Sequence, residues 1–578
     1  MANLTKSVIP IAAEKKTRLN LDCDHVTTMR FMHAQPVWYR HMLAGESINV
    51  SALSNVRPAP MPVPTYGRMR QNLRFFFVPY RLCFPQYDSM MADVIGVNYG
   101  NSSLVVSPPA IEGDAIASWL KLAIVSSAGT SANHDFEIGG SYYLFTEYGR
   151  KAWKVFYSLG YSYAYNKDMK FNALGLLSWA KVMLDWYENS QYLDSATIIE
   201  VRKLLAYNNP TTPLSLTASN LNAVLSLGVV TYDSNGYFEA AWDNPVAPTS
   251  TPSNQFSSLS FQDISADYST AAYVGTSANG TPYMAQPSAN VINIGTKYIH
   301  EALNRLTDYQ KRHQLSGAYE IDRFLSQHGF VSNYLRELRS IYVSGQTFDI
   351  KVGDIYATAT SSDGSGSSQV GDYAGRGFGV GSKSVQFRTD EDGIMIAIAT
   401  ILPSSGYYQG YDRNNRHLTK DAFFNSDFDA LSTQSIEKGE LYVSNHESFA
   451  APADYISTFG FTGRYGEYKR AISRVSGDIS LPTVMAGGNS WHLMREFSDA
   501  YWQNDADNIY HSNVFSSGAD AIQYHRVFDY TKEDYDPFFC FFHFNVTAIS
   551  PCRALFDTYD FESLGKEIAL QSQGGKVN

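Results

Sequence analysis

Dense apolar runs alternate along this chain with long polar stretches. Leu73-Arg74-Phe75-Phe76-Phe77-Val78 is closed by Pro79, and the run from Ile394 to Leu402 is closed by Pro403. Short apolar runs stopped by proline read as strands buried on both faces. Phe539 to Val546, rich in Phe, reads as a third strand. Residues 48 to 81 read as β-structure throughout, because Pro58, Pro60, Pro62 and Pro64 forbid a helix and impose an extended connector.

Between these strands the period changes to that of a helix. Asn172 caps an expected helix over 172–187, with Leu176, Ala180, Met183 and Tyr187 at helical spacing. A second, over 195–207, carries Ile198, Val201 and Leu205 and stops at Asn209-Pro210. A third region, 297–328, is broken at Ser316-Gly317 and stopped by Gly329. Residues 209–295 and 360–386 are rich in Ser, Gly and Thr, lack strong periodicity and read as flexible loops. Strands at both ends with partly helical excursions between them predict an antiparallel barrel or sandwich with enlarged loops.

Composition narrows the classes. Aromatics make up 14% of the 578 residues, including 40 Tyr, which excludes a disordered chain and suits either a core or a contact surface. A net charge of -11 argues against a surface built to clamp nucleic acid; a chain of this charge enclosing DNA needs a separate basic partner. Cys23, Cys83, Cys540 and Cys552 have no CxxC spacing and read as free thiols. Residues 1–20 lack a signal-peptide core, and the longest apolar run is about half a membrane span. Cytoplasmic synthesis without a membrane anchor is therefore expected. Residues 1–47 read as an N-terminal arm whose first part carries Lys6, Lys15, Lys16 and Arg18. It is either a solvated tail or a sequence-blind contact to DNA phosphates.

No catalytic motif is found: GxSxG, GxxxxGK[ST] and HExxH are all missing. Gly375 to Gly381 is spaced GxGxGxG and follows a Gly/Ser-rich loop, so it reads as loop, not as a dinucleotide site. Asp390-Glu391-Asp392-Gly393 fails as a calcium loop, because Ala399 stands where a bidentate Glu is needed; a turn is the better reading. His313 and His328 have no acidic partner at ligand spacing and read as ordinary helix-face residues. No enzyme, metal or cofactor is expected.

Six segments, in order from about residue 55 to 470, resemble the major capsid proteins of the Microviridae. Asn55 to Arg68 and Phe75 to Arg81 are similar to the family's "PMPVPTYG … FFVPxR" pattern. Asn172 to Tyr187 resembles "NALPxRAYxxIxNxYYR", with Gly175 where Pro is common and no final Arg. Tyr237 to Pro245, Leu303 to Gly329, and Gly371 to Gly375 with Tyr407 to Gly410 follow. Phe459 to Lys469 is close to "FGYQxRYAEYR", and the last hundred residues match poorly.

The resemblance implies a mainly β fold: an eight-stranded antiparallel jelly-roll barrel over 48–578, with large, partly helical insertions at about 100–330. It also implies self-assembly through pentamers into a small T=1 icosahedral shell around circular single-stranded DNA, made in the host cytoplasm. The implied partners are a small basic DNA-binding protein, pilot or spike proteins and a host receptor. Arg464, Tyr465, Glu467, Tyr468 and Lys469 are the candidate subunit contacts, against an ordinary solvated cluster. Residues 244–289, polar and almost uncharged, are expected to lie outside and aid host attachment, or to form a plain connector. The other classes considered are a carbohydrate-binding β-protein and a phage tail or spike protein.

Overall fold

In the computed structural model the described residues are 16–91 (except 62 and 64), 107–124, 136–138, 141–145, 147–161, 169–187, 196–209, 212–227, 230–232, 238–240, 338–353, 361–363, 366–368, 376–404, 406–418, 422–426, 429, 433–443, 458–480, 488–495, 522–528, 536–552, 557–560 and 566–569. Nine strands form the main sheet: β1 Thr17–Asn20, β2 Cys23–Met29, β3 Gln35–Met42, β4 Ser47–Pro58, β5 Met69–Pro79, β6 Ile341–Gly353, β7 Arg376–Arg388, β8 Gly393–Pro403 and β9 Phe538–Ser550. Their spatial order is β1-β9-β4-β7-β6-β5-β8-β3, with β2 paired to β9 beyond the end of β1. Every pairing in this sheet is antiparallel. Apart from β5–β6 and β6–β7, neighbours are reached by crossovers, as a jelly roll requires.

Alternation of side chains explains how the sheet curls. In β4 the residues Ile48, Val50, Ala52 and Val56 are buried while Asn49, Ser51 and Arg57 are exposed. In β9 the residues Phe538, Cys540, Phe542, Phe544, Val546 and Ala548 face inward. Those inward faces share one core with Phe75 and Phe77 of β5 and Met395 and Ala397 of β8. The two ends of the sheet meet inside this core, where the Trp38 ring of β3 stacks on Phe544 of β9 at 5.8 Å. Gln35 of β3 also donates from Nε2 to the Thr27 hydroxyl of β2 at 2.7 Å.

β5 and β8 are buried on both faces, as their unbroken apolar runs predict. Their outward residues Phe76, Val78, Ile394, Ile396 and Ile398 join a second core made with the helical insertion. That insertion contributes α1 Gly113–Ala123, α2 Glu147–Ser158, α3 Leu174–Val182, α4 Ala196–Leu205 and α5 Ala218–Leu225. Each large side chain removed from water here stabilises by roughly 1.5–3 kcal/mol, so the insertion is tied to the barrel by its own core.

α3 starts at Leu174 with Ala173 at its N-cap and no side-chain cap. Asn172 ends a short strand, Lys170–Asn172, its side chain accepting from the Leu174 amide at 2.8 Å, and the helix turns into a π-helical segment at Met183–Tyr187. α5 lies within the stretch read as loop; Thr217 and Asn220 form a capping box, and Leu221, Val224 and Leu225 are buried. The Gly375–Gly381 run is not a loop from residue 376 onward, where it enters β7. A β-carbon on Gly381 would lie 2.2 Å from the Phe348 ring, so glycine is what lets β6 and β7 approach. Asp390–Asp392 forms the turn into β8, and the Asp392 carboxylate accepts from the Ala44 amide and the Tyr87 hydroxyl.

The N-terminal arm is a correction. From residue 17 onward it consists of barrel strands: β1 and β2 complete the sheet beside β9, and β3 closes its other end. Burial of Met29, Val37, Trp38 and Met42 holds them there. The 297–328 helices, residues 244–289, and His313 and His328 lie outside the described residues.

Candidate assembly surfaces

Of the four basic residues assigned to DNA, Lys6 and Lys15 lie outside the described residues. Lys16 is exposed and donates from Nζ to the Gly45 carbonyl at 2.7 Å. Arg18 is exposed on β1, paired in register with Ile549. The two cations therefore sit on the edge of the sheet, on ordered backbone.

The 464–469 segment divides into an interior and an exposed half. Tyr465 is buried and has a left-handed backbone (φ 58°), its amide donating to Gln434 Oε1 at 2.8 Å. The Glu467 side chain is buried too; it accepts from Gln434 Nε2 at 2.5 Å and lies 3.5 Å from His417 Nε2. Arg464 lies over the Tyr465 ring, with its guanidinium carbon 5.2 Å from the centroid. Tyr468, by contrast, is 48% exposed and stacked on His417. Lys469 is exposed and pairs with Asp429 at 2.5 Å. Only Tyr468 and Lys469 of the five are thus placed to meet another molecule; Tyr465 and Glu467 hold the turn that presents them.

Sequence reasoning missed a second surface. On the outer face of β2, β9, β4 and β7, one row runs Val26–Phe541–Asn55–Val380, and the next pairs Thr28, Phe539 and Arg57. Val26 is 77% exposed, Phe539 49% and Phe541 38%. Together with Asn55 and Arg57 they line a groove of about 670 Å³. An apolar row at the centre of a strand and open to water marks a contact surface. The signal was in β9, where Phe occurs at consecutive positions and hence on both faces.

Beneath the barrel end, charge is concentrated out of water. The Asp536 carboxylate accepts from the Thr28 hydroxyl at 2.7 Å, from Arg30 Nε at 2.8 Å, and from Lys154 of α2. Burial alone would raise the Asp536 carboxyl, but Lys154 and Arg30 hold it well below the usual carboxylate range. His33 and His525 stand in the same cluster. Burial, with Lys151, Lys154 and Arg30 nearby, pushes His33 down to about 3, and burial with Arg30 pushes His525 down to about 3. This network joins the N-terminal strands, the helical insertion and the entry to β9. Its partners are all internal, and it has the character of a structural staple.

Among the described residues, no group of His, Cys, Asp or Glu is placed to hold a metal ion. No helix there is long and apolar enough to cross a membrane. Cys83 and Cys540 are buried thiols; burial pushes Cys83 up to about 12.

A curled antiparallel sheet with crossovers and a large helical insertion is the build of a jelly-roll protein. The comparisons make that specific: residues 7–132 and 225–552 match the family described as "Capsid protein (F protein)", and the chain belongs to that family. The chain is 20% identical to capsid protein VP1 of Bdellovibrio phage phiMH2K over 516 residues, covering 85% of this chain and 87% of the relative. It is 22% identical over 219 residues to capsid protein VP1 of Chlamydia phage 1, covering 37% and 34%. The resemblance to Microviridae capsid proteins is borne out, and the family match runs to residue 552, past the segments that carried it. The chain is a structural, non-enzymatic virion protein that assembles with copies of itself. The carbohydrate-binding and tail or spike classes give way to this.

Proposed function

We propose that this chain is the major subunit of a small T=1 icosahedral shell, built through fivefold contacts, that encloses circular single-stranded DNA. The observation that carries this reading is the capsid-family match at both ends of the chain, across the strands that build the barrel. Symmetry multiplies modest contacts between copies into a closed particle.

The net charge of -11 supports a separate small basic protein as the main neutraliser of the genome. Lys6, Lys15, Lys16 and Arg18 contribute phosphate contacts from the inner side, without reading sequence. Part of residues 244–289, a polar and almost uncharged stretch, is proposed to lie on the outer surface and contribute to host attachment, with pilot or spike proteins as further partners. Assembly takes place in the host cytoplasm.

Negative-stain microscopy and sedimentation of the purified chain, alone and with DNA and a basic peptide, test the shell. Isometric particles of uniform size are expected. Trimers or fibres in their place would overturn the icosahedral reading.

A further inference from the structure

Two exposed apolar patches lie on different parts of the chain, one on the sheet and one on a turn. The first is the groove on the outer face of the barrel, centred on Val26, Phe539 and Phe541. Beside it stand Asp22 and Asp24, with Asp24 lying 2.6 Å from His543 Nδ1. Arg57 closes the groove at the Phe539 end, opposite in register to that residue. The second patch surrounds the 464–474 turn, where Tyr468 is 48% exposed and Ile472 54% exposed, next to exposed Phe423 and Leu418. Of the cations in that turn, Lys469 pairs with Asp429 and Arg474 with Asp412, while Arg470 is exposed.

We propose that the groove over β2 and β9 receives the 466–474 segment of a neighbouring copy of this chain, with Tyr468 and Ile472 entering beside Val26 and Phe541. This rests on the reading of the chain as a shell-forming subunit and deepens it by naming the contact. Three arguments select a second copy as the occupant. Charge is complementary at one point: Arg470 is exposed on the segment, and the exposed Asp24 carboxylate lies on β2 two residues from Val26. The patches are different surfaces of one chain, so their contact is heterologous, the type that forms rings where the rotation between copies closes. The anchors suit their task, since Tyr and Phe dominate the buried centre of protein–protein contacts. Arg470 has no ion pair among the described residues and is free to meet Asp24 across the contact.

The experiment uses the full chain with exposed Cys23 and Cys552 changed to Ser. Val26→Cys and Ile472→Cys are introduced together and treated with a short bis-maleimide during assembly. A ladder of covalent multimers is expected from the double variant, and none from either single variant. A dimer from Val26→Cys alone would mean that the groove meets its own copy, and would overturn the proposal. Shells that form without the ladder overturn the docking and leave the shell reading standing. A ladder without shells supports the docking and overturns the shell reading, and neither ladder nor shells overturns both. In a second arm, Arg470→Glu is expected to raise the concentration needed for assembly by about tenfold, and Asp24→Lys added to it to restore part of the loss. Unchanged assembly by Arg470→Glu, with a native circular dichroism spectrum, counts against the charge pairing.

Discussion

Trp38 and Phe544 stack across the barrel interior with ring centroids 5.8 Å apart and planes 26° apart. One belongs to the last strand of the sheet path and the other to the strand next to its first. Their contact is what turns a curled sheet into a closed core. Trp38→Ala removes both the stack and the packing on Phe75, and is expected to destabilise the subunit by about 3–5 kcal/mol. The midpoint of denaturant unfolding measures it, and a loss below about 1 kcal/mol would show that the barrel ends are held elsewhere.

Asp536 is buried and pairs with both Arg30 and Lys154. Asp536→Asn removes the carboxylate charge that faces Arg30 and Lys154 out of water and is expected to cost about 3–5 kcal/mol. Thermal melting of the unassembled subunit reads the change. The loss should exceed that of Asp349→Asn, whose partners Arg68 and Arg70 form exposed pairs.

Acid should act through His33 and His525. Both are held down to about 3 in the folded chain, so the unfolded chain, with histidines near 6.5, binds protons first as pH falls. Stability is expected to be complete above pH 6.5 and to fall steadily toward pH 3. Replacing both by Gln should flatten that slope in melting curves taken between pH 7 and pH 4. A slope unaltered by the double variant would place the acid response in other groups.

Gly381 and Gly463 provide a matched pair. A β-carbon on Gly381 meets the Phe348 ring at 2.2 Å, whereas on Gly463 it meets nothing within 4 Å. Gly381→Val is expected to cost roughly 1–3 kcal/mol by forcing β6 and β7 apart, and Gly463→Ala to be nearly neutral. Equal effects in chemical denaturation would refute the close approach.

Changing Lys6, Lys15, Lys16 and Arg18 to Gln is expected to weaken DNA retention and to make it less sensitive to salt, because fewer counterions are displaced. Particles with the same DNA content and the same salt dependence would remove the basic segment from the genome contact.

Strand identity was legible wherever local chemistry left one option. The Phe75–Val78 and Ile394–Leu402 runs, free of helical period and ended by proline, read as buried strands, and they pair side by side with a core on each face. The six ordered segments carried the family as well. The strands in residues 17–42 are not legible because their apolar content is modest and their partners are distant: β1 and β2 pair with β9 more than five hundred residues away, and β3 pairs with β8. The glycines of β7 look like a loop until the Phe348 ring is seen to need their space.

For the assembly surfaces the sequence by itself determined one set of residues chemically suited to contact: Arg464, Tyr465, Glu467, Tyr468 and Lys469. It could not say which of them are spent inside the subunit. Tertiary structure decided that, burying Tyr465 and Glu467 against Gln434 while leaving Tyr468, Ile472, Phe539 and Phe541 open to water. The physical reason is that side-chain chemistry is local, whereas exposure depends on which distant strands and turns come to lie over a residue.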